Sequence, residues 1–403
     1  MSRRVLIVND YGVLSGGAER VTVDLRDGLR ARGHDVRIFA SRAQPLALPN
    51  EADYTCFGHD GWPRRLLQVA NPTAPARLRR VLAEFRPDVV HVRMFLNQLS
   101  PRILPTVAGV PALLHVGNYQ TICPINTRTL PDGRICAHRA GAACYREGCV
   151  SALGLARTVV QLGSWRRHAG AFRLIVANSH ALAQTLQANG VAVGRVIWNG
   201  TRPRPARPPL RDPPTVAFAG RLVAKKGADV LLRAMAQVVR RLPDARLLII
   251  GEGEERARLE RLITEQALGE HVTTTGHLAG PALDTRLGAA WVQVLPSRYP
   301  EPLANAVLEA MMRGTAVVGT AIGGTPEVVR DGVTGFLVPM DDAAALADRL
   351  LRLLSDRDMA ERFGEAARHA AIAELTLDRM VTRFEDVYAD LLGTGGAVPA
   401  VTK

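Results

Sequence analysis

Two glutamates flank the start of an amphipathic stretch late in the chain. Glu301 directly precedes Pro302, which suits a first helical turn because its missing N–H would be unpaired there anyway. The pattern predicts a helix from Leu303, with the free N–H groups of residues 303–305 forming an anion site. Carboxylates at this position could accept hydrogen bonds from sugar or ribose hydroxyls. They could also stabilise positive charge that develops on a sugar carbon. The plain alternative is that Glu301 caps the helix and Glu309 is a surface residue.

A loop with three basic residues is the second candidate. Residues 220–227 follow an apolar run and read Gly-Arg-Leu-Val-Ala-Lys-Lys-Gly. Arg221 offers a planar fork for phosphate oxygens, and Lys226 offers a compact charge. The chain has 48 arginines and three lysines, so two lysines here indicate that at least one position resists replacement by arginine. The alternative is a solvated turn.

Adjacent glycines, Gly16 and Gly17, follow the first apolar run. They would let the backbone approach a ligand closely, although a plain tight turn fits equally well. They do not complete the G-x-G-x-x-G pattern, and the run from Gly251 to Arg256 lacks its third glycine and is acidic. A dinucleotide-dependent dehydrogenase is therefore excluded, as is a Gly-Lys-Ser/Thr phosphate loop.

Short β-branched runs alternate with amphipathic stretches on both sides of a proline-rich segment. Such runs are typical of parallel sheets covered by helices on both faces. Residues 201–214 are predicted to be a linker, because six of the twelve residues from 203 to 214 are proline. The sequence thus predicts two doubly wound α/β domains, residues 1–200 and 215–375, with a helix at about 376–393 packing back onto the first. Ligands are expected beyond the carboxyl ends of the strands, in a cleft between the domains.

The net charge of +13 is confined to one half of the chain. The first 200 residues carry 25 arginines and 12 acidic residues, whereas the remainder carries 26 of each sign. An anionic partner is therefore expected on the first half only. The overall composition, 47% hydrophobic and 22% charged, argues against disorder, and no apolar run is long enough for a membrane helix. A signal-like leader is also missing at the start, so a cytoplasmic location is expected.

The second half resembles the retaining glycosyltransferases of the GT-B fold, known as glycosyl transferases group 1 or family four. Six segments carry this resemblance in the right order over about 120 residues. They are Gly220-Arg221-Leu222 with Lys226-Gly227, Ile250–Gly253, Thr275–His277, the Glu301/Glu309 pair, Gly323–Glu327 and Asp331–Val338. The first half matches more loosely, through Gly16–Glu19, Ala177–Ser179 and Asn199–Gly200. The resemblance implies two Rossmann-like domains that face each other across a cleft.

The resemblance also implies transfer of a sugar from a nucleoside-diphosphate donor with retention of its anomeric configuration and without a cofactor. Arg221 and Lys226 would hold the donor pyrophosphate and stabilise the departing nucleoside diphosphate, in place of a metal ion. Glu309 would bind the ribose hydroxyls, and the loop around Leu278 would meet the base.

The donor sugar and its phosphate would be held by Glu301 and by the amides of Leu303, Ala304 and Asn305. Gly16 and Gly17 would close over the reacting centre from the other domain. Position 304 departs from the family, which usually has glycine where Ala304 stands, and this change would slightly alter the approach of the phosphate.

The catalytic-site histidine that the family implies corresponds best to His115. Relatives with an Asn-aromatic-x-x-x-Cys-Pro segment carry histidine directly before the asparagine, whereas here Gly117 precedes Asn118. His115 is therefore open to two interpretations, a catalytic-site residue or a core histidine that ends a strand.

Four of the five cysteines, Cys123, Cys136, Cys144 and Cys149, cluster within one segment. Disulfides are not expected in a cytoplasmic enzyme. Their spacing lacks the Cys-x-x-Cys pairs of common zinc sites, but a structural metal remains one hypothesis beside buried or free thiols. No metal is expected to take part in catalysis.

Residues 151–172 run apolar and basic, with Trp165 beside Arg166 and Arg167, and Trp62 lies next to two further arginines. An aromatic and basic helix suits an anionic membrane surface, although an ordinary solvated helix face is the alternative. In the family the first domain takes the acceptor, which we expect to be a lipid-linked or otherwise anionic glycan of the cell envelope. The enzyme would then lie on the inner face of the membrane. Nothing in the sequence suggests nucleic-acid binding.

Two other functions share this sequence pattern. A GT-B-fold sugar-nucleotide epimerase would keep the fold, and a non-catalytic sugar-nucleotide-binding protein would keep the donor site. The latter would be expected to lack one of the glutamates or of the basic pair, and all four are present.

Overall fold

The computed structural model describes residues 2–278 and 280–393, and these fold as two units. Unit 1 comprises the chain up to Arg202 together with the segment that starts at Leu377, and unit 2 comprises Pro203–Thr376. In the described ranges, no helix is both long enough and apolar enough to cross a membrane.

Unit 1 is built on a seven-stranded sheet in the order β3-β2-β1-β4-β5-β6-β7, with every neighbouring pair parallel. The strands are β1 (Arg4–Tyr11), β2 (Asp35–Ser41), β3 (Tyr54–Cys56), β4 (Val89–Val92), β5 (Ala112–Val116), β6 (Leu174–Ala177) and β7 (Arg195–Val196). The central strands β4, β5 and β6 are buried along their whole length, because helices cover both faces of the sheet.

The helices of unit 1 are α1 (Gly17–Ala31), α2 (Arg64–Leu67), α3 (Ala74–Phe85), α4 (Leu104–Val107), α5 (Ala142–Arg146), α6 (Ala152–Arg167), α7 (His180–Ala188) and α15 (Leu377–Leu391). The helix α1 buries Val21, Leu25 and Leu29, the stripe expected from their spacing. The last helix, α15, packs beside α1 and adds Phe384 and Tyr388 to the same core.

Unit 2 has a six-stranded parallel sheet in the order β10-β9-β8-β11-β12-β13. Its strands are β8 (Thr215–Ala219), β9 (Arg246–Ile250), β10 (Val272–Thr274), β11 (Val292–Leu295), β12 (Ala316–Thr320) and β13 (Gly335–Val338). Its helices are α8 (Ala228–Val238), α9 (Arg256–Glu265), α10 (Gly280–Gly288), α11 (Asn305–Arg313), α12 (Thr325–Val328), α13 (Ala343–Leu354) and α14 (Arg357–Glu374). Both units are doubly wound parallel α/β domains, which confirms the predicted fold class.

The proline-rich segment that the sequence presents as a linker is irregular, as expected, but it is packed onto unit 2. Leu210 is buried in the core of that unit, and its backbone N–H donates to Glu361 at 2.8 Å. Arg207 forms an ion pair with the same carboxylate, and Arg204 pairs with Asp284. From Pro203 onward, this segment is therefore part of unit 2 and not a free connector.

Candidate active site

Two loops of unit 2 join each other directly beyond the carboxyl ends of their strands. The backbone N–H of Gly220, after β8, donates to Ile250 at 3.0 Å, and Leu222 donates to Glu252 at 2.8 Å. A Cβ on Gly251 would lie 1.9 Å from the carbonyl oxygen of Gly220, so only glycine fits this approach. The glycines of two family motifs thus bring the loops after β8 and β9 together.

Lys226 and Glu301 meet at this edge of the sheet. The Nζ atom of Lys226 lies 2.7 and 2.8 Å from the two carboxylate oxygens of Glu301, and the hydroxyl of Ser297 donates to the same carboxylate. The side chains of Lys226 and Glu301 are 16% and 6% exposed. Gly227 has a φ of +71°, and a Cβ there would lie 1.9 Å from the carbonyl oxygen of Pro296. This close approach holds the lysine loop against the glutamate loop.

A second ion pair, which sequence reasoning missed, anchors the glutamate loop to helix α8. The guanidinium of Arg298 donates to both carboxylate oxygens of Asp229, at 2.7 and 2.8 Å. Burial alone would raise the pKa of Asp229, but the hydrogen bonds from Arg298 and the charges of Arg298, Arg233 and Arg258 outweigh it and lower that pKa. The only sequence signal was an acidic residue in the first turn of α8, which usually indicates no more than a favourable helix dipole.

The helix after β11 begins two residues later than predicted. It starts at Asn305, with Ala304 as the residue before the first turn and Pro302 and Leu303 in the preceding loop. The reason lies in the next loop: the N–H of Gly324 donates to the carbonyl of Glu301 at 2.8 Å, which holds the chain extended there. The N–H groups of Leu303 and Ala304 form no hydrogen bond with any described residue, and no side chain caps the helix. The predicted anion site therefore has two amides available, just before the helix.

Glu309 lies on the second turn of α11, is half-buried and forms an ion pair with Arg204, 3.4 Å from its Oε1. Its Oε2 has no hydrogen-bond partner among the described side chains, so it remains able to accept from a ligand hydroxyl. Arg221 is exposed, and its guanidinium pairs with no acidic group in the part of the chain that the structure describes. Leu278 follows β10 and is half-buried against the apolar cluster that contains Ala217.

In unit 1, Gly16 and Gly17 stand at the turn from β1 into α1. Gly16 is the extended residue before the helix, and a Cβ there would come within 3.3 Å of a carboxylate oxygen of Glu19. Glu19 is buried, and this burial raises its pKa. Gly16 thus leaves room for a carboxylate that bends back over the start of its own helix.

His115 is a core residue in this structure, which favours the second of its two interpretations. Its side chain has no exposed surface, because the ring of Phe384 packs on it at 4.7 Å between centroids. Its Nδ1 lies 3.3 Å from Nε2 of His91, and the guanidinium of Arg93 lies 2.5 Å from it. Burial and the charge of Arg93 hold the pKa of His115 well below its usual value, so the ring is neutral at pH 7. A substrate cannot reach it without displacing α15.

Two other charged groups at this edge of unit 1 were not foreseen from the sequence. Asp10 is completely buried and accepts backbone N–H groups from Asn97, Gln98 and Leu99 at 2.8, 2.7 and 3.0 Å. Burial nevertheless raises the pKa of Asp10 to about 6. Arg93 is likewise buried, and burial lowers its pKa to about 10. Asp10 is the penultimate residue of β1 and Arg93 directly follows β4, and this position near a strand end was the sequence signal available for them.

The four clustered cysteines line one pocket of unit 1, together with His138. Burial raises the pKa of the Cys144 and Cys149 thiols, which favours the protonated form. Within residues 2–278 and 280–393, no group of three or more His, Cys, Asp or Glu side chains is arranged to hold a metal ion. All five cysteines are unpaired by disulfides in the structure.

The predicted donor residues Lys226 and Glu301 are in contact, and Arg221, Leu278 and Glu309 lie on loops or helices that follow strands of the same sheet. His115, Gly16 and Gly17 belong to the other unit. A buried carboxylate bonded to a lysine, beside unpaired amides and an unpaired arginine, can bind a sugar hydroxyl and a diphosphate at the same time.

Two family models match this chain. The family model "Glycosyl transferases group 1" matches residues 202–370, and the model "Glycosyltransferase Family 4" matches residues 15–205. A GDP-mannose-dependent alpha-(1-6)-phosphatidylinositol monomannoside mannosyltransferase of Mycobacterium tuberculosis is 27% identical over 96% of this chain and 98% of its own. The alpha-D-kanosaminyltransferase of Streptomyces kanamyceticus is 32% identical, but the match spans 45% of this chain and 47% of that protein.

Among solved structures, the sucrose-phosphate synthase of Thermosynechococcus elongatus superposes with a TM-score of 0.76, at 23% identity, over 98% of this chain and 100% of that chain. At this level of identity the likeness supports the fold.

Proposed function

Since the chain belongs to the GT-B glycosyltransferases of group 1 and family 4, we propose that it transfers a sugar from a nucleoside-diphosphate donor with retention of configuration. The donor binds on unit 2, and no divalent metal is required. The acceptor is a lipid-linked or otherwise anionic glycan of the cell envelope, taken by the basic unit 1 at the cytoplasmic face of the membrane.

The contact between Lys226 and Glu301 is the observation that carries this proposal. It places one cation and one carboxylate, both largely buried, at the carboxyl edge of a doubly wound sheet, where such folds bind nucleotides. Arg221 lies on the same loop as Lys226 and is exposed, so its guanidinium is available to a diphosphate. Two cations at the diphosphate supply the charge stabilisation that a divalent ion provides in other transferases.

The chemistry is a front-face displacement at the anomeric carbon. The bond from that carbon to the β-phosphate oxygen breaks, and the electron pair leaves with the nucleoside diphosphate, which Arg221 and Lys226 stabilise. The acceptor hydroxyl oxygen forms the new bond on the same face of the sugar, and its proton passes to the departing phosphate oxygen. Glu301 accepts hydrogen bonds from hydroxyls of the donor sugar and fixes the position of Lys226.

An anionic acceptor is supported by the charge of unit 1. The first 200 residues carry a net charge of +13, and the mycobacterial relative is named for an acceptor built on phosphatidylinositol. A phosphate-bearing lipid would be attracted to such a surface.

The test is a thermal-shift screen of UDP- and GDP-sugars, with UDP and GDP as controls. A donor at 100 times its dissociation constant adds about 2.7 kcal/mol to stability, which for a unit of this size corresponds to a shift of roughly 5–10 °C. Arg221→Ala should lose most of that shift, whereas Arg240→Ala, a second exposed arginine of unit 2, should retain it.

The stabilising donor is then supplied with acceptor lipid extracts, and the anomeric configuration of the product is determined by NMR. Retention without added metal is the expected result. Donor binding without transfer or hydrolysis would instead indicate a sugar-nucleotide-binding protein, and an altered donor sugar recovered as its epimer would indicate an epimerase. A screen in which no nucleotide sugar stabilises the protein would contradict the proposal as a whole.

A further inference from the structure

Unit 1 exposes five large apolar side chains on two neighbouring elements. Leu153, Val159 and Val160 of helix α6 are 78%, 56% and 55% exposed, and Trp62 and Leu66, at helix α2, are 75% and 62% exposed. We call these five side chains the apolar patch. Scattered single apolar residues on a surface need no explanation, but a group of this size on one surface marks an interaction site.

The outer face of α6 is apolar over three turns. Between residues 152 and 163, its exposed residues are Ala152, Leu153, Ala156, Val159, Val160 and Gly163. A helix on a water-soluble protein normally presents polar side chains on this face. In α6, the polar side chains of Thr158 and Gln161 point inward and are buried instead.

Trp165 does not belong to this surface, which corrects the prediction that it forms a membrane face with its arginines. It is 1% exposed and packs edge-on against Phe95, at 5.6 Å between ring centroids. Trp62, two residues before Arg64, is exposed instead. The amphipathic helix is therefore oriented with its aliphatic face outward.

The two elements of the patch are adjacent. The side chain of Gln161, on the inner face of α6, donates to the backbone carbonyl of Gln68 at the end of α2, at 2.9 Å. Arg64 and Arg65 lie on α2 and Arg157 lies on α6, and burial, followed by the charges of Arg65 and Arg64, lowers the pKa of Arg157. Both adjacent helices of the apolar patch therefore carry arginines.

Two more arginines, Arg166 and Arg167, end α6 and are exposed. Arg64, Arg65, Arg157, Arg166 and Arg167 form no ion pair with any acidic residue that the structure describes. We call these five the patch arginines. Between residues 89 and 200 the acidic residues are Asp132 and Glu147, and these lie against Arg134 and His138.

We propose that the apolar patch and the patch arginines dock unit 1 onto an anionic lipid bilayer. Aliphatic side chains and a tryptophan enter the boundary between headgroups and acyl chains, and arginines around them pair with anionic headgroups. The proposal rests on the proposed function, since it places the enzyme where a lipid-linked acceptor is embedded. A second copy of the chain is a poor occupant, because a twofold interface here would bring ten unpaired guanidinium groups together.

Vesicle flotation tests the proposal with the full chain and without donor or acceptor. Vesicles of phosphatidylcholine alone are compared with vesicles that contain about 30% phosphatidylglycerol, at low and at high salt. Each arginine near an anionic surface changes partitioning roughly fivefold, so wild type should bind the anionic vesicles at least tenfold more strongly at low salt. Equal binding to both vesicles, or no binding to either, would overturn the proposal.

Two double variants separate the contributions. Leu153→Asp with Val160→Asp should abolish binding to both vesicles, and Arg65→Glu with Arg157→Glu should lower binding to anionic vesicles at least tenfold. The control for charge is Arg240→Glu with Arg241→Glu, on an exposed part of unit 2, and the control for an apolar-to-acidic change is Ile372→Asp. Both controls should bind as wild type does, and circular dichroism verifies that every variant is folded.

If the Leu153/Val160 and Arg65/Arg157 double variants bound anionic vesicles as strongly as wild type does, the proposed docking surface would be wrong. If these double variants differ from wild type in oligomeric state, as measured by light scattering, and no protein binds vesicles, the apolar patch is a contact between copies of the chain and the proposal is wrong. Donor-induced thermal shifts, measured on the same samples, keep this result separate from the proposed function. A wild type that is stabilised by its donor but does not bind vesicles refutes only the membrane proposal.

Discussion

Replacing Lys226 by methionine separates a structural role of this lysine from a role in donor binding. The substitution removes two hydrogen bonds of 2.7 and 2.8 Å and leaves the carboxylate of Glu301, 6% exposed, with Ser297 as its remaining side-chain partner. Breaking a buried ion pair costs about 3–5 kcal/mol. Because the lysine side chain is 16% exposed, we expect the lower end, about 3 kcal/mol, which corresponds to roughly 6–12 °C in the melting temperature of a unit this size.

The double variant Lys226→Met with Glu301→Gln should recover most of that stability, since no buried charge then lacks a partner. Donor binding should behave differently. A hydrogen bond to a charged phosphate is worth about 1.5–3 kcal/mol, so both variants should bind the donor about 10- to 150-fold more weakly, and the double variant should not recover.

Denaturant unfolding and isothermal titration with the donor measure the two quantities on the same proteins. If Lys226→Met lowered stability but left donor affinity and turnover within about twofold of wild type, this lysine would serve only to neutralise Glu301. If it lowered neither, the contact itself would contribute nothing measurable.

Four further predictions concern His115, the pH dependence of stability, the Gly227 turn and the metal requirement. His115→Gln should keep turnover within about threefold of wild type at pH 7.5, well short of the roughly hundredfold loss expected for a catalytic acid or base; a hundredfold loss in a folded variant would restore its catalytic assignment. Because the folded-state pKa of His115 and of His91 is lowered, the unfolded chain binds more protons below pH 6.5, so stability present at pH 7 is lost as the pH falls toward 5. Each histidine contributes up to about 1.4 kcal/mol per pH unit, and His115→Gln should therefore flatten the pH dependence of the unfolding free energy relative to wild type; an unchanged slope would contradict the burial of a neutral ring. Gly227→Ala should lower the melting temperature by several degrees, because its Cβ would lie 1.9 Å from the carbonyl oxygen of Pro296 at a φ of +71°, whereas Gly109→Ala, with nothing within 4 Å, serves as the tolerant control. EDTA at millimolar concentration should leave turnover unchanged, and restoration of activity by added Mg²⁺ or Mn²⁺ after chelation would refute the metal-independent mechanism.

The doubly wound fold could be predicted because its signals are local. Strands such as β6 and β11 are runs of four residues that are buried on both faces of the sheet. Such short, continuously apolar runs are typical of parallel sheets covered by helices. The loops that carry Lys226 and Glu301 were placed correctly for the same reason, since each directly follows such a run.

Other features depended on contacts that a local pattern does not contain. Helix α11 begins later than predicted because the N–H of Gly324 donates a hydrogen bond to the carbonyl of Glu301. The rule that places proline in the first helical turn takes no account of such a contact with a neighbouring loop. His115 is the penultimate residue of β5, which is buried along its length, and there periodicity does not distinguish a core histidine from a site histidine. The ion pair between Arg298 and Asp229 spans 69 positions along the chain, so only the folded structure reveals it.

Trp165 shows the same limit on a helix. Its position beside two arginines is compatible with either face of α6. Trp165 is buried because it packs against Phe95, which follows strand β4, and against Phe172, which precedes strand β6. Composition does not determine which side of α6 faces outward, whereas the packing of the sheet does.

The position of helix α15 in the chain has a consequence for the time at which unit 1 becomes complete during translation. Phe384 and Tyr388 cover His91 in the core of unit 1, yet the ribosome adds them only after the whole of Pro203–Thr376 has been made. At about 5–20 residues per second, the first 202 residues wait roughly 10–35 s without that cover, with Leu25 and Leu29 of the same core lacking their partner helix. The unit that is synthesised first is therefore completed last, and a chain that stops before Leu377 would contain all of unit 2 but an unfinished unit 1.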